Sequence, residues 1–186
     1  NPFAEDREIP FTKNFISQYR EAQRERNRRI TQWARDEIDR IVLAGHYDRL
    51  FTTPRLWADL RMIDGSIDPS NREFPSCYLG DPRRANYGIY GVGTVSSLRT
   101  WLSMWSLTDS QCNAAPHLQR IRIPALVIEA DADTGVFPGD TKAIVEALGS
   151  DDLTKSTIEG DHYLRDRDGA RDEAADLIVE WIRQRV

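Results

Sequence analysis

Two side chains suited to acid–base chemistry follow two predicted strands near the end of the chain. Asp133 comes just after the apolar run 125–130, and His162 follows the run 154–158. In an open α/β sheet, functional groups gather at the carboxyl ends of the strands, so we expect these two side chains to lie close together. A carboxylate can orient an imidazole and stabilise its protonated form, while the imidazole moves a proton to and from a nucleophile.

Other acidic residues lie around Asp133 in the sequence. We interpret Asp131 as an ordinary turn residue. A second interpretation is a cation site made of Glu129, Asp131, Asp133 and Asp140. The spacing of an EF-hand loop is missing, so we assign no metal and no cofactor. The remaining histidines, His46 and His117, are interpreted as structural.

Aromatic side chains supply candidates for the wall of a substrate pocket. Trp101 and Trp105 occur at helical spacing within 97–107, and Tyr163 directly follows His162. A pocket for a small molecule is lined mainly by apolar and aromatic side chains. For the two tryptophans, packing in the core of their own domain is the alternative.

The last third of the chain has the clearest pattern. Apolar runs at 125–130 and 154–158 predict strands, and residues 139–148 and 172–185 show the spacing of helices. Strands that alternate with helices predict parallel pairing in an α/β layer.

The first part of the chain is predicted to be mainly helical. Apolar positions recur at helical spacing over 13–44, and shorter helices are predicted at 56–63 and 97–107. Four arginines make the middle of the long helix basic: Arg24, Arg26, Arg28 and Arg29. A contact with an anion or a nucleic acid is one interpretation, and a solvated face offset by neighbouring acidic residues is the other.

The composition excludes several classes of protein. Hydrophobic residues make up 40 % of the 186 residues, which is enough for a sizeable core. No apolar run approaches the ~20 residues of a membrane span. Two cysteines form neither a disulfide framework nor a C-x-x-C motif, which favours a reducing, cytoplasmic compartment. The net charge is +2 over residues 1–120 and −7 over 121–186, which argues against nucleic-acid binding by the acidic part.

The chain resembles the α/β-hydrolase family over its last 70 or so residues. PALVIEADADTGVFPGD at 124–140 is similar to the seventh strand and following turn of that family, and IEGDHYL at 158–164 is similar to the loop after the eighth strand. The resemblance implies that Asp133 is the acid and His162 the base of a catalytic triad. It also implies a fold: the last two parallel strands of the sheet with flanking helices in 116–186, and a mainly helical cap in 1–115.

The family's nucleophile elbow, G-x-S-x-G, is missing. The nearest sequence, from Gly91 to Val95, has glycine where the serine should be. The chain starts at Asn1 and not at Met, and its first residues do not form a signal peptide, so we expect a processed or excised piece of a hydrolase. Because the nucleophile is missing, we expect this piece to be inactive alone. We expect its partner to be the N-terminal part that carries the nucleophile, or a second copy of the chain.

The resemblance implies hydrolysis of a small carboxylic ester or a related acyl compound without a cofactor. One alternative stays within the family, because epoxide hydrolases and dehalogenases use an aspartate nucleophile with the equivalent histidine. A second alternative is a non-catalytic interaction module that uses the helix at 13–44 as an arm, which an exposed apolar stripe on that helix would favour.

Overall fold

The structure is a computed structural model that describes residues 1–4, 6–55, 58–88 and 94–185. The chain divides into two compact units, each built from two stretches of sequence. Unit 1 comprises Asn1–Leu60 and Pro82–Asn113, and unit 2 comprises Arg61–Asp81 and Ala114–Val186. The sequence-based boundary at 115/116 therefore differs from the structure, because residues 61–81 fold with the C-terminal unit.

Unit 1 is mainly helical. A 3₁₀ turn, Leu60–Met62, which begins at the last residue of the first stretch of unit 1 and continues into unit 2, is all that the structure describes of the helix predicted at 56–63. Residues 56 and 57 lie outside the described ranges. The other elements, in chain order, are α1 (Lys13–Leu43), β1 (Leu50–Thr52), α2 (Pro82–Tyr87), β2 (Val95–Ser97), α3 (Leu98–Thr100) and a π-helical turn (Trp101–Trp105). Strands β1 and β2 pair antiparallel.

Helix α1 confirms the prediction for 13–44. Its first turn is capped by Thr12, whose hydroxyl accepts a hydrogen bond from the N–H of Phe15 at 3.2 Å. It ends before Gly45, which adopts φ +82°. Three of the four arginines in its middle are exposed and pair with Glu21 or Glu25, as expected of a solvated face: Arg24, Arg28 and Arg29.

The core of unit 1 lies between α1 and the residues that follow β2. Ala34 and Ile41 of α1 pack with Leu98 and Trp101, and all four are buried. The indole N–H of Trp101 donates to the buried hydroxyl of Thr31 at 3.2 Å, which satisfies the polar atom of an otherwise apolar side chain. The apolar stripe of α1 is therefore covered in part within its own unit, while Phe15, Trp33 and Val42 are exposed.

The predicted helix at 97–107 is split into two kinds of turn. The hydroxyl of Ser97 accepts from the N–H of Thr100 and starts α3. The N–H of Ser106 then donates to the carbonyl of Trp101 at 2.9 Å and closes the π-helical turn. This wider turn places Trp101 in the core, with Trp105 half-buried beside it.

Unit 2 contains a parallel strand pair flanked by helices. Its elements are α4 (Ala115–Leu118), β3 (Ala125–Ala130), α5 (Pro138–Ala147), β4 (Leu153–Ile158) and α6 (Ala170–Arg183). The strands pair in register from Ala125 opposite Leu153 to Ala130 opposite Ile158. The predicted order of strands and helices is confirmed, and the chain as a whole is a mixed α/β structure.

Strand β3 is only half-buried along its whole length. Its sequence, ALVIEA, is the continuous apolar type that parallel sheets bury on both faces. Within the described part of the chain, β4 is its single strand neighbour. The other edge of β3 and its apolar side chains are therefore incompletely covered.

The segment Arg61–Asp81 is tied to the start of α5. Arg72, only 3 % exposed, donates to the carbonyl of Asp68 at 2.6 Å and to that of Ile67 at 2.9 Å. Its guanidinium lies 4.7 Å from the ring centre of the buried Phe137. The carboxylate of Asp68 accepts from the N–H of Gly139, near the positive end of the helix dipole.

No helix in the described ranges is both long and apolar enough to cross a membrane.

Candidate active site

The structure brings Asp133 and His162 together at the carboxyl ends of β3 and β4. The Nδ1 atom of His162 lies 2.8 Å from Oδ1 of Asp133. Because an ionised carboxylate can only accept, the proton of this hydrogen bond belongs to Nδ1. The neutral imidazole then carries its lone pair on Nε2, the atom that would take a proton from a nucleophile.

The carboxylate of Asp133 is fixed by its own loop. Its Oδ1 accepts from the backbone N–H of Gly135 at 2.6 Å and from that of Val136 at 2.8 Å. The carboxylate is therefore held in place as a hydrogen-bond acceptor for the imidazole.

His162 is held by a turn that Asp161 organises. The Oδ1 atom of Asp161 accepts from the N–H of Tyr163 at 3.0 Å and from that of Arg165 at 2.9 Å. The N–H of Asp161 in turn donates to Asp166 at 2.8 Å. These bonds fix the backbone on both sides of the histidine, and Leu164 completes the turn with φ +52°.

Two tyrosines flank the imidazole. The ring centre of Tyr163 lies 4.9 Å from that of His162 in an edge-on arrangement, and that of Tyr78 lies 5.4 Å away. Burial raises the pKa of the Tyr78 phenol above its ordinary value. The sequence suggested Tyr163 for the wall of a substrate pocket, a role that stays a prediction. It gave no signal for Tyr78, because nothing in the residues around Tyr78 indicates that 61–81 folds with the C-terminal unit.

Gly135 is required by the close packing around this pair. A Cβ atom built on it would lie 2.9 Å from Nδ1 of His162 and 3.2 Å from Cβ of Tyr78. Its φ is outside the left-handed region, so the need for glycine comes from space and not from backbone conformation. Sequence reasoning did not single out this glycine.

The neighbouring acidic residues have structural partners. Asp131 accepts from the N–H of Gly160 at 3.0 Å and from the amide of Asn71 at 2.7 Å, so it joins the ends of β3 and β4. Glu129 pairs with Lys155 at 2.6 Å. Asp140 pairs with Arg61 at 3.0 Å. In the described ranges, no three His, Cys, Asp or Glu side chains are grouped closely enough to hold a metal ion.

The two tryptophans proposed for a pocket wall belong to the core of unit 1. Trp101 is 1 % exposed and packs on α1, and Trp105 packs against the same cluster. Core packing, the alternative interpretation, describes both. The glycines at 91 and 93, in the sequence nearest to an elbow, lie outside the described residues.

The Nε2 atom of His162 has no hydrogen-bond partner among the residues that the structure describes, and the side chain is 28 % exposed. The arrangement can accept a proton at Nε2 and stabilise the resulting imidazolium through Asp133. The site is therefore a hydrogen-bonded carboxylate–imidazole pair with one imidazole nitrogen left for a further contact.

Comparisons with family models, with curated proteins and with solved structures found no match to this chain.

Proposed function

We propose that this chain supplies the acid and the base of an α/β-hydrolase that cleaves small carboxylic esters or related acyl compounds. The observation that carries the proposal is the 2.8 Å contact between Nδ1 of His162 and Oδ1 of Asp133, at the ends of two parallel strands. The carboxylate is fixed by backbone N–H groups and the opposite imidazole nitrogen faces no described partner, as a proton shuttle requires.

In the proposed reaction, Nε2 of His162 takes the proton of a serine hydroxyl as its oxygen bonds to the ester carbonyl carbon. The carbonyl electron pair moves to oxygen, and its return breaks the bond to the alcohol, which leaves with the proton from Nε2. Water repeats both steps on the acyl-enzyme and releases the acid. Asp133 holds the imidazole tautomer and stabilises the imidazolium.

The serine is proposed to come from a polypeptide segment outside this sequence, or from a partner chain. Strand β3 supports this proposal, because its apolar residues are half-exposed and its second edge is unpaired within the described residues. A parallel strand bearing the nucleophile turn would pair with that edge and cover it. We also propose a cytoplasmic location, which the free Cys77 and Cys112 support.

The interaction-module alternative calls for an exposed apolar stripe on α1. Ala34 and Ile41 are buried against Leu98 and Trp101, which counts against it. Trp33 and Val42 of the same helix are exposed, so the alternative keeps partial support.

The test uses the polypeptide as the gene encodes it, with p-nitrophenyl acetate and butyrate as substrates. We expect Asp133→Asn to lower kcat by about 10³–10⁴-fold, since the imidazole then loses the acceptor that sets its tautomer. His162→Ala is expected to cause a similar loss. Asp131→Asn is the matched control, because it changes a carboxylate two residues away that bonds Gly160 and Asn71 instead of His162.

Loss of activity in Asp133→Asn and His162→Ala, with Asp131→Asn within about fivefold of wild type, would support the proposal. Two results would refute it: equal effects of Asp133→Asn and Asp131→Asn, or turnover of epoxides or haloalkanes without ester hydrolysis. The latter would favour the aspartate-nucleophile alternative.

A further inference from the structure

We propose that Tyr78 is a positioning residue for the Asp133–His162 pair: its ring covers the hydrogen bond of the pair from water and holds the imidazole against the carboxylate. The part that this plays in catalysis rests on the proposed function, whereas the contact itself does not. The observation that carries the proposal is the packing of Tyr78 and His162 around the same small space at Gly135.

The ring of Tyr78 lies beside the imidazole. The two ring centres are 5.4 Å apart, and the rings are tilted by 49°. A Cβ atom built on Gly135 would lie 2.9 Å from Nδ1 of His162, 3.0 Å from Cε1, and 3.2 Å from Cβ of Tyr78. The base of the Tyr78 side chain therefore lies near the edge of the imidazole that carries Nδ1, which is the nitrogen in contact with Asp133.

A tight turn fixes the backbone of Tyr78. The N–H of Cys77 donates to the carbonyl of Gly80 at 2.8 Å, and the N–H of Gly80 donates back to Cys77 at 2.7 Å. Cys77 is buried, and Gly80 adopts φ +90°, a conformation that favours glycine. The N–H of Ser76 donates to the carbonyl of Met62 at 3.0 Å and ties the turn to its own segment. Tyr78 is therefore held from both sides along the chain.

Tyr163, the other aromatic neighbour of the imidazole, is less suited to cover this hydrogen bond. Its ring meets the imidazole edge-on, with the ring centres 4.9 Å apart, and the residue is 43 % exposed. Tyr78 is half-buried, and burial raises the pKa of its phenol. The ring of Tyr78 is thus the one that excludes water at this site.

Water would weaken the hydrogen bond between the pair. The side chain of Asp133 is 14 % exposed and that of His162 is 28 % exposed, so the pair lies close to solvent. A hydrogen bond is electrostatically stronger where water is excluded. This bond in turn decides which imidazole nitrogen carries the proton. Without the Tyr78 ring, the Nδ1 proton would exchange with water, and a share of the imidazoles would carry the proton on Nε2.

NMR of the His162 ring tests the proposal without using activity. At about pH 8, where imidazoles are neutral, ¹H–¹⁵N spectra give the exchange rate of the Nδ1 proton with water and the share of rings with the proton on Nε2. We expect Tyr78→Ala to raise the exchange rate by roughly tenfold or more and to raise the Nε2–H share. Tyr78→Phe keeps the ring and should stay within about twofold of wild type. Leu79→Ala is the matched control, because Leu79 is the exposed next residue of the same turn.

The part in catalysis is measured separately, on the polypeptide as the gene encodes it, with p-nitrophenyl acetate. Tyr78→Ala is expected to lower kcat roughly tenfold and to change KM by less than about threefold, because fewer imidazoles then have Nε2 free to accept a proton. An unchanged kcat in this variant would overturn the part in catalysis. Absence of ester hydrolysis by the wild type would refute the proposed function, while the exchange rates would still decide whether Tyr78 covers the bond.

Three results would overturn the proposal: wild-type exchange in Tyr78→Ala, an equal effect of Leu79→Ala, or equal impairment of Tyr78→Phe and Tyr78→Ala, since the hydroxyl would then act in place of the ring. A lower urea midpoint of Tyr78→Ala with unchanged exchange and tautomer would also overturn it, because Tyr78 would then only support the fold. Should Tyr78→Ala fail to fold, Tyr78→Val replaces it with the same expected increase in exchange.

Discussion

Replacing Gly135 by alanine tests whether tight packing at one residue holds the acid and the base in contact. The new Cβ would lie 2.9 Å from Nδ1 and 3.0 Å from Cε1 of His162. Carbon atoms in contact prefer separations of about 3.5–4.0 Å. Because Cβ of Tyr78 stands 3.2 Å away on the same side, the loop itself has little room to move. The imidazole therefore has to retreat by roughly 0.6 Å or more to restore a normal contact.

That retreat breaks the contact between Nδ1 and Oδ1. A separation of 2.8 Å would grow to about 3.4 Å or more, at or beyond the limit of a hydrogen bond. A hydrogen bond to a charged group contributes about 1.5–3 kcal/mol. Alanine in place of glycine at an unstrained φ contributes about 0.4–1 kcal/mol in the opposite direction, by restricting the unfolded chain. We expect a net loss of about 1–2 kcal/mol in the free energy of unfolding of unit 2.

Two measurements check this expectation. Long-range ¹H–¹⁵N NMR of the His162 ring reports whether the proton stays on Nδ1, and urea unfolding reports the stability. Val136→Ala is the matched control, since the backbone N–H of residue 136 keeps its bond to Asp133. A Gly135→Ala protein with the wild-type ring signal and equal or greater stability would show that the packing argument is wrong.

Two further predictions concern ionised side chains inside each unit. The guanidinium groups of Arg40 and Arg49 lower the pKa of Glu37 from its ordinary 4.5 to about 2. The ionised Glu37 therefore stabilises the fold fully above pH 4.5, and this contribution is lost as the pH falls through about 2. We expect Glu37→Gln to reduce the loss of stability between pH 4.5 and 2, as measured by urea unfolding. The control Asp39→Asn, at an exposed residue of the same helix, should leave that loss unchanged. Equal acid sensitivity of wild type and Glu37→Gln would contradict the prediction. Arg72→Lys is expected to lower the stability of unit 2 by about 2–4 kcal/mol, because lysine cannot donate to several carbonyls in one plane as Arg72 does. A decrease of less than about 1 kcal/mol, measured by urea unfolding, would mean that these bonds contribute little.

The second half of unit 2 was predictable because its local signals agree with one another. A continuous apolar run, a turn rich in Asp and Gly, and two amphipathic helices all indicate the same α/β arrangement. Parallel pairing follows from this alternation, and it brings Asp133 and His162 to one edge. The choice of Asp133 over Asp131 came from the resemblance, and the structure pairs Asp133 with the imidazole.

The segment Arg61–Asp81 was not predictable from the sequence, because its structure depends on contacts distant in the chain. An arginine such as Arg72 is typical of a protein surface, yet it is buried against Phe137, which precedes α5 more than 60 positions later in the chain. Turn residues such as Gly65 and Pro75 interrupt the segment, so it shows no helical or strand period. Tyr78 was missed beside His162 for the same reason.

The interleaved order of the two units has a consequence for dividing this protein. A fragment covering Ala114–Val186 would contain both Asp133 and His162 but would lack Arg61–Asp81. Phe137 would then lose its cover from Arg61 and Arg72, and the imidazole would lose Tyr78. No single cut of the chain separates the two units. A minimal version of unit 2 would need residues 61–81 joined to residue 114 by a linker, and its ability to fold would depend on that join.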